Sequence, residues 1–311
     1  MKRRLRDLMN SSSIFPMARK PLFLQASKQQ MFRHQQGGKT EVRRETNTAR
    51  SAAVLIRNKL RVPKLTLAQI ELLNSQAQPQ FVTRHIRKDL LQIHLEGSYR
   101  FGTIASYKGT EDRQLGRFGD TSEGRQRTTY SSRSGHLANF RARDVQIQDG
   151  FFDHENQVVF EDIANDFCSC VSVGTFGRDR ALAIREAEAG NASTVPEAYV
   201  TYDLGKLLEA LTDIMREHRD LSEHQLLRRQ VVYGHKDVRW EVGRDFEASQ
   251  LEPLEIWLDA AFIKPSAFAH EDELRILIID PSSPGGLDES SGPISFKDSR
   301  IAAAITDYGT F

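Results

Sequence analysis

The chain has 311 residues, 39% of them hydrophobic and 27% charged, and a net charge of +1. This is the composition of a globular protein, with length for one large domain or two smaller ones. It excludes a membrane-helical chain, because no apolar run approaches the ~18 residues that a spanning helix needs.

The charge is unevenly placed. Residues 1–62 hold fifteen Lys and Arg against three Asp and Glu, whereas residues 241–311 hold five basic and fourteen acidic residues. Residues 1–48 mix Arg, Gln, Ser and Gly without sustained periodicity, so they read as a basic, poorly ordered arm ahead of a single domain over 49–311. Such an arm suits phosphate and offers a nucleic-acid contact through residues 1–62. It equally suits folding back on the acidic C-terminal part, or an Arg- and Ser-rich targeting presequence. A secretory signal is not expected, since the first thirty residues lack a continuous apolar segment. Cys168 and Cys170 are the only cysteines, which points to a reducing compartment and a cytoplasmic protein.

Two short helical patterns between residues 52 and 75 break at Pro63, and the second has Thr66 as N-cap with Leu67, Ile70 and Leu73 on one side. Residues 81–95, FVTRHIRKDLLQIHL, read as a basic amphipathic helix ended by Gly97. The following SYRFGTIASY is aromatic and β-branched and reads as a strand containing Gly102. Residues 108–150 are polar and studded with glycine, with no clear element. Strands are expected at 157–161 and at 167–173, FCSCVSV. A helix capped by Asp203 follows, its stripe formed by Leu204, Leu207, Leu208, Leu211 and Met215. RQVVYG, PLEIWLDAAFI and ELRILII are three further expected strands, before a tail that opens on the turn cluster SSPGG. Helices early and strands late make the fold class α+β, not a βαβ alternation. No Rossmann or P-loop glycine pattern occurs.

The chemistry concentrates in residues 270–280, HEDELRILIID. Alternation puts Glu271, Glu273 and Arg275 on one face of a strand and Leu274, Ile276 and Ile278 on the other. A carboxylate beside a buried sheet is costly unless it is paired or used. In use, one Glu would grip a sugar hydroxyl and face an oxocarbenium-like transition state while the other orients or deprotonates an acceptor. If merely paired, Glu273 and Arg275 would meet neighbours on the sheet surface. The catalytic reading requires the carboxylate at 273 to be rigid and not neutralised, so that Glu273→Gln removes activity and barely moves stability. Arg100 is a candidate for gripping a phosphate or carboxylate, or else an outward-facing sheet arginine. Cys168, Cys170 and Ser172 share one face of their strand and Ser169 the other. The cysteines read as buried structural residues, and no spacing suits a metal.

The runs GSYRFGTIASYKGTEDRQLGRFGDTSEG and KPSAFAHEDELRILI resemble a broad set of uncharacterised bacterial and phage-associated proteins that share an early RFGT…Y…ED…GD…EG segment and a late K…F…E.E.R segment. The late run is also similar to the Glu-x-Glu element of arginine-serine-glutamate mono-ADP-ribosyltransferases. In that class an Arg strand, a Ser-x-Ser strand and the Glu pair follow one another, as Arg100, Ser169 to Ser172 and Glu271 to Glu273 do here. The resemblance implies a split mixed or antiparallel sheet whose cleft binds NAD as co-substrate, without a metal. Arg100, with Tyr99 beside it, would contact the NAD phosphates, and Ser169 or Ser172 would brace the nicotinamide pocket. Glu273 would hold the nicotinamide ribose and Glu271 would assist a protein or nucleic-acid acceptor. The setting implied is a toxin or phage-conflict component. Two rivals stand beside it. One is a non-catalytic nucleic-acid- or protein-binding module that uses the basic arm and the Arg-rich loop 113–143. The other is a metal-dependent hydrolase built on Asp112, Asp120, Glu271 and Glu273.

Overall fold

The computed structural model describes residues 62–109, 124–132, 136–142, 145–151, 157–187, 195–235, 237–242, 245–247 and 253–311, with strand backbone at 22–25, 34–36, 39–41 and 54–59. The chain separates into two compact units. The smaller joins Met1–Arg50, Ser132–His154 and Val242–Gln250, and its four-stranded sheet runs in the order Leu22–Gln25, Val145–Phe151, His136–Ala142, Asp245–Glu247. Most of the expected basic arm, and Asp112 and Asp120 of the polar stretch, lie outside the described residues. The described part of the segment expected to lack structure contains strands at Arg125–Ser132, His136–Ala142 and Val145–Phe151.

The larger unit is mixed α+β around a mostly antiparallel sheet. Its strands are β1 (Phe81–Ile86), β2 (Ser98–Thr103), β3 (Phe167–Val173), β4 (Ala198–Asp203), β5 (Gln225–Gln230), β6 (Glu273–Ile279), β7 (Ile294–Lys297) and β8 (Ile305–Thr310). They lie in the order β5-β6-β3-β1-β4-β8, with β2 also pairing β3, and β7 pairing β2. The helices are α1 (Leu67–Asn74), α2 (Leu91–Leu95), α3 (Ile104–Gly109), α4 (Arg178–Ala187), α5 (Leu204–Glu217), α6 (Pro253–Phe262) and α7 (Ser299–Ala303). Among the described residues no helix is long and apolar enough to cross a membrane.

One face of the sheet is the main core. Val82, Tyr99, Phe101, Val171, Val200, Leu274, Ile276 and Ile278 pack there with Leu207, Leu211 and Met215 of α5 and Ile301 of α7. The α5 stripe is the one its spacing predicts, and Asp203 caps the helix by accepting from the Lys206 amide. Thr66 likewise caps α1 in a capping box with Gln69; Ile70 and Leu73 are buried while Leu67 stays exposed. Asn74, the last residue of α1, seals the sheet's edge. Its side chain donates to the Leu226 carbonyl (3.0 Å) and accepts from the Arg228 amide (2.9 Å).

Three expectations are corrected. The helical pattern expected ahead of Pro63 is strand at Val54–Lys59, paired in parallel with Gln157–Ile163. Residues 81–86 form β1, a strand between β3 and β4, and only Leu91–Leu95 is α-helical. Phe81, Val82, Thr83 and Ile86 suit a pleated surface, and two flanking strands supply the ladder that outweighs helical periodicity. Conversely, PLEIWLDAAF is α6, not a strand. Proline opens the helix, and Leu254, Trp257 and Ala261 bury one face at helical spacing. RQVVYG is divided between the end of β5 and the two-residue strand Val232–Tyr233. The last strands expected, at 157–161, 167–173 and ELRILII, are present as Gln157–Ile163, β3 and β6.

Candidate functional site

All seven residues of β6 are buried, so it cannot carry charges on an open surface. Pairing with β3 sets Ser172 opposite Glu273 and Cys170 opposite Arg275. Pairing of β3 with β1 sets Thr83 opposite Ser172. Opposite residues of an antiparallel pair share a face, so Thr83, Ser172 and Glu273 form a row across three adjacent strands, on the face away from the main core.

The chain enters β6 through a 3₁₀ turn, Ser266–Glu271, and then Asp272 at φ +43°. A left-handed aspartate is tolerated at modest cost, and here it is tied down on all sides. Gln230 donates to its Oδ1 at 2.9 Å, Arg180 approaches Oδ2 at 3.5 Å, and its carbonyl accepts from the Val173 amide at 2.8 Å. Glu271 and Glu273 are thereby brought around one ammonium. Lys264 Nζ lies 2.7 Å from Glu271 Oε2 and 2.9 Å from Glu273 Oε2, and Arg275 Nε donates to Glu273 Oε1 at 2.6 Å. Arg275 also donates to the Ala261 carbonyl at the end of α6, and the Glu273 amide donates to the Tyr233 hydroxyl at 2.8 Å. The parallel ribbon of Val232–Tyr233 with Ile263–Lys264 supplies both Tyr233 and Lys264.

Exposure ranks the members of the cluster. The Glu273 and Arg275 side chains are 3% and 2% exposed, Lys264 12% and Glu271 24%, so Glu271 is the more accessible of the two carboxyls. Burial would raise the Glu273 carboxyl, but Arg275 and Lys264 overcome it and hold the group well below the usual range. Burial pushes Glu271 up to about 8, Lys264 opposing and the neighbouring Glu273 adding to the rise. Near neutral pH, Glu273 is therefore an anion and Glu271 a neutral acid. The expectation for Glu273 holds as to rigidity and fails as to charge, because both oxygens carry cations. A carboxylate has about four acceptor positions, so capacity for further hydroxyls remains.

Along the same row, Ser172 Oγ is 3.5 Å from His85 Nδ1. Burial, helped by Arg180, lowers His85 to about 4, so the imidazole is neutral. Its Nε2 is buried and has no hydrogen-bond partner among the described residues.

The sheet forks beside this row. β3 pairs with β2 through Phe167 and Cys168 but with β1 through Ser172 and Val173, leaving residues 169–171 without a strand neighbour on that edge. Arg84 of β1 reaches the fork from the core face, between Val82 and Ile86 and opposite Val200, its guanidinium 4.8 Å over the Tyr99 ring. Its Nη2 donates to the Arg100 carbonyl at 3.1 Å, while its Nη1 is buried without a partner among the described residues. Such a donor is costly to leave unmade, and it is the strongest sign of a place for an anionic group.

Of the residues singled out in the sequence, Glu271, Glu273 and Ser172 are brought together. Ser169 and Tyr99 lie on the core face, where the serine donates to the Tyr99 hydroxyl at 2.9 Å and both side chains are buried. Arg100 is exposed on β2, the strand that diverges from β3 after Cys168. Cys168 and Cys170 have sulfurs 3.8 Å apart and form no disulfide. The hydrogen bond to Cys168, with burial, raises the Cys170 thiol well above its usual range, which makes it a poor nucleophile. Sequence reasoning missed Arg84, His85, Tyr233 and Lys264. The first two were legible only if FVTRHI is taken as a strand, and Lys264 opens the quoted run KPSAFAHEDE. Among the described residues no group of three His, Cys, Asp or Glu is placed to hold a metal. Compared with known proteins, the chain matches no family model, no curated protein and no solved structure.

Proposed function

We propose that this chain is an ADP-ribosyltransferase-like enzyme that moves ADP-ribose from NAD to a protein or nucleic-acid acceptor. The observation that carries the reading is the row of Ser172 and Glu273 on the adjacent strands β3 and β6, with Arg84 of β1 at the fork in the sheet on its opposite face. Arg84 takes the phosphate-binding role that the sequence suggested for Arg100. Its unpartnered Nη1 suits a diphosphate oxygen, and a guanidinium is weakly hydrated enough to wait in a buried gap. Ser172 and neutral His85 offer hydroxyl and imidazole contacts to the nicotinamide end. Glu273, with both cations in place, acts as a fixed acceptor for ribose hydroxyls rather than as a bare counter-charge. In the transfer the ribose carbon–nitrogen bond breaks with its electron pair going to nicotinamide. The same carbon takes a lone pair from the acceptor, and the acceptor's proton passes to Glu271 in its ionised form, the minor one at neutral pH and the major one above about pH 8.

The test is release of nicotinamide from NAD by the purified chain, with the ADP-ribose followed onto protein or nucleic acid. Arg84→Met should weaken NAD binding about ten- to a hundredfold, the worth of a charge-assisted hydrogen bond of roughly 1.5–3 kcal/mol, without lowering the melting temperature. A chain that neither binds nor cleaves NAD ends the proposal.

A further inference from the structure

We propose that Lys264 is a positioning residue that gives the two carboxylates different roles, holding Glu273 as the anion and leaving Glu271 as the proton carrier. The inference rests on the transferase reading for its consequence, but its evidence is the geometry of four charged groups. Arg275 is committed, with Nε on Glu273 Oε1 and Nη1 on the Ala261 carbonyl. Among the described residues, Lys264 is the cation that touches both carboxylates, at 2.7 Å and 2.9 Å on their Oε2 atoms. Glu273 is thus bonded to two cations and Glu271 to one, and the one is shared. Two carboxylates this close do not both ionise readily, so the proton resides on Glu271, the more exposed of the pair.

The lysine is itself held. Its ammonium lies 4.8 Å from the Phe268 ring in the 3₁₀ turn, and its backbone carbonyl accepts from the Gly234 amide at 2.9 Å. Among the described residues, Cys170 and Tyr107 also feel the Glu273 charge, and both are raised well above their ordinary range and stay neutral. Tyr233 contributes its hydroxyl to the Glu273 amide, and burial raises that phenol to about 12, so it stays neutral. Asp272 turns away to Gln230 and Arg180, His85 is neutral, and His270 Nδ1 lies 3.1 Å from the Ala267 carbonyl. Among the described residues, Lys264 is therefore the cation in direct contact with Glu271. When Glu271 gives up its proton above about pH 8, the same ammonium steadies the resulting base beside the acceptor.

The experiment titrates the side-chain carboxyl carbons by ¹³C NMR in the parent chain, Lys264→Met and Lys264→Arg, with nicotinamide release measured over the same pH range. Loss of the cation should move the Glu271 titration alkaline by at least one pH unit, and Lys264→Arg should restore it. The pH–rate profile should move by the same amount, with less than a threefold change in KM for NAD. An unmoved Glu271 titration in folded Lys264→Met overturns the assignment. So does a proton found on Glu273 in the parent. The carboxyl titration is readable without turnover, so absence of NAD cleavage would sink the transferase reading while leaving the role of Lys264 to be judged by NMR. Should Lys264→Met not fold, Lys264→Gln carries the same comparison, and a titration unchanged there is equally fatal.

Discussion

Replacing Glu273 with glutamine tests the buried cluster most directly. The amide oxygen can satisfy either Arg275 Nε or Lys264 Nζ, which lie 2.6 and 2.9 Å from opposite carboxylate oxygens, but its NH₂ must then face the other cation. Arg275 is 2% exposed and also donates to the Ala261 carbonyl, so its charge cannot escape to water. Breaking a buried pair by removing one partner costs about 3–5 kcal/mol. Glu271 offsets part of this by ionising once its neighbour's charge is gone, which places the expected loss near the lower figure. For a domain of this size each kcal/mol lowers the melting temperature by about 2–4 °C, so Glu273→Gln should melt roughly 6–12 °C below the parent at pH 7. Scanning calorimetry with urea unfolding at the same pH measures it. Adding Arg275→Met should recover most of the loss, because an apolar replacement of a whole buried pair is often neutral. A single variant melting within 2 °C of the parent would refute the claim that Glu273 balances a buried guanidinium. The stability-neutral glutamine substitution expected from the sequence is thus replaced by a destabilising one.

Two further outcomes are expected. Asp166 is fully buried and accepts from Trp257 Nε1 at 2.9 Å and the Gly285 amide at 3.0 Å, and burial raises it to about 7. Its folded value lies above its unfolded one, so its contribution is complete below about pH 4 and is lost as the pH rises through 7, on the order of 4 kcal/mol in all. Unfolding free energies from pH 4 to 8 should therefore fall more steeply for the parent than for Asp166→Asn; equal slopes would contradict the assignment. Asn74→Ala should cost about 1–2 kcal/mol by unpairing the Leu226 carbonyl and the Arg228 amide, and should promote edge-to-edge association of β5. A variant as stable and as monodisperse as the parent in urea unfolding and light scattering would show that the asparagine does not protect this edge.

Local pattern determined a good part of this molecule. Thr66 and Asp203 cap the helices their side chains announce, because a cap needs only backbone amides two or three residues away. ELRILII is a strand with its charged and apolar faces as alternation dictates, and the carboxylates at 271 and 273 are legible as a site because charge beside so apolar a run demands a partner. What decides their chemistry is non-local. FVTRHI carries a helical periodicity, and it became a strand because β3 and β4 flank it with open ladders; that choice put His85 on the face of the site and Arg84 at the fork on the opposite face. PLEIWLDAAF satisfies strand and helix propensities alike, and its helix delivers Lys264 into the gap between two glutamates. The alternation of β6 dictates that Glu273 faces away from the core with Arg275 beside it, but Lys264, brought by a non-local contact, decides that both its oxygens are paired and that Glu271 keeps the proton. Electrostatic energy depends on distances of a few ångströms and on exclusion of water, and both are properties of the folded packing that no stretch of sequence contains.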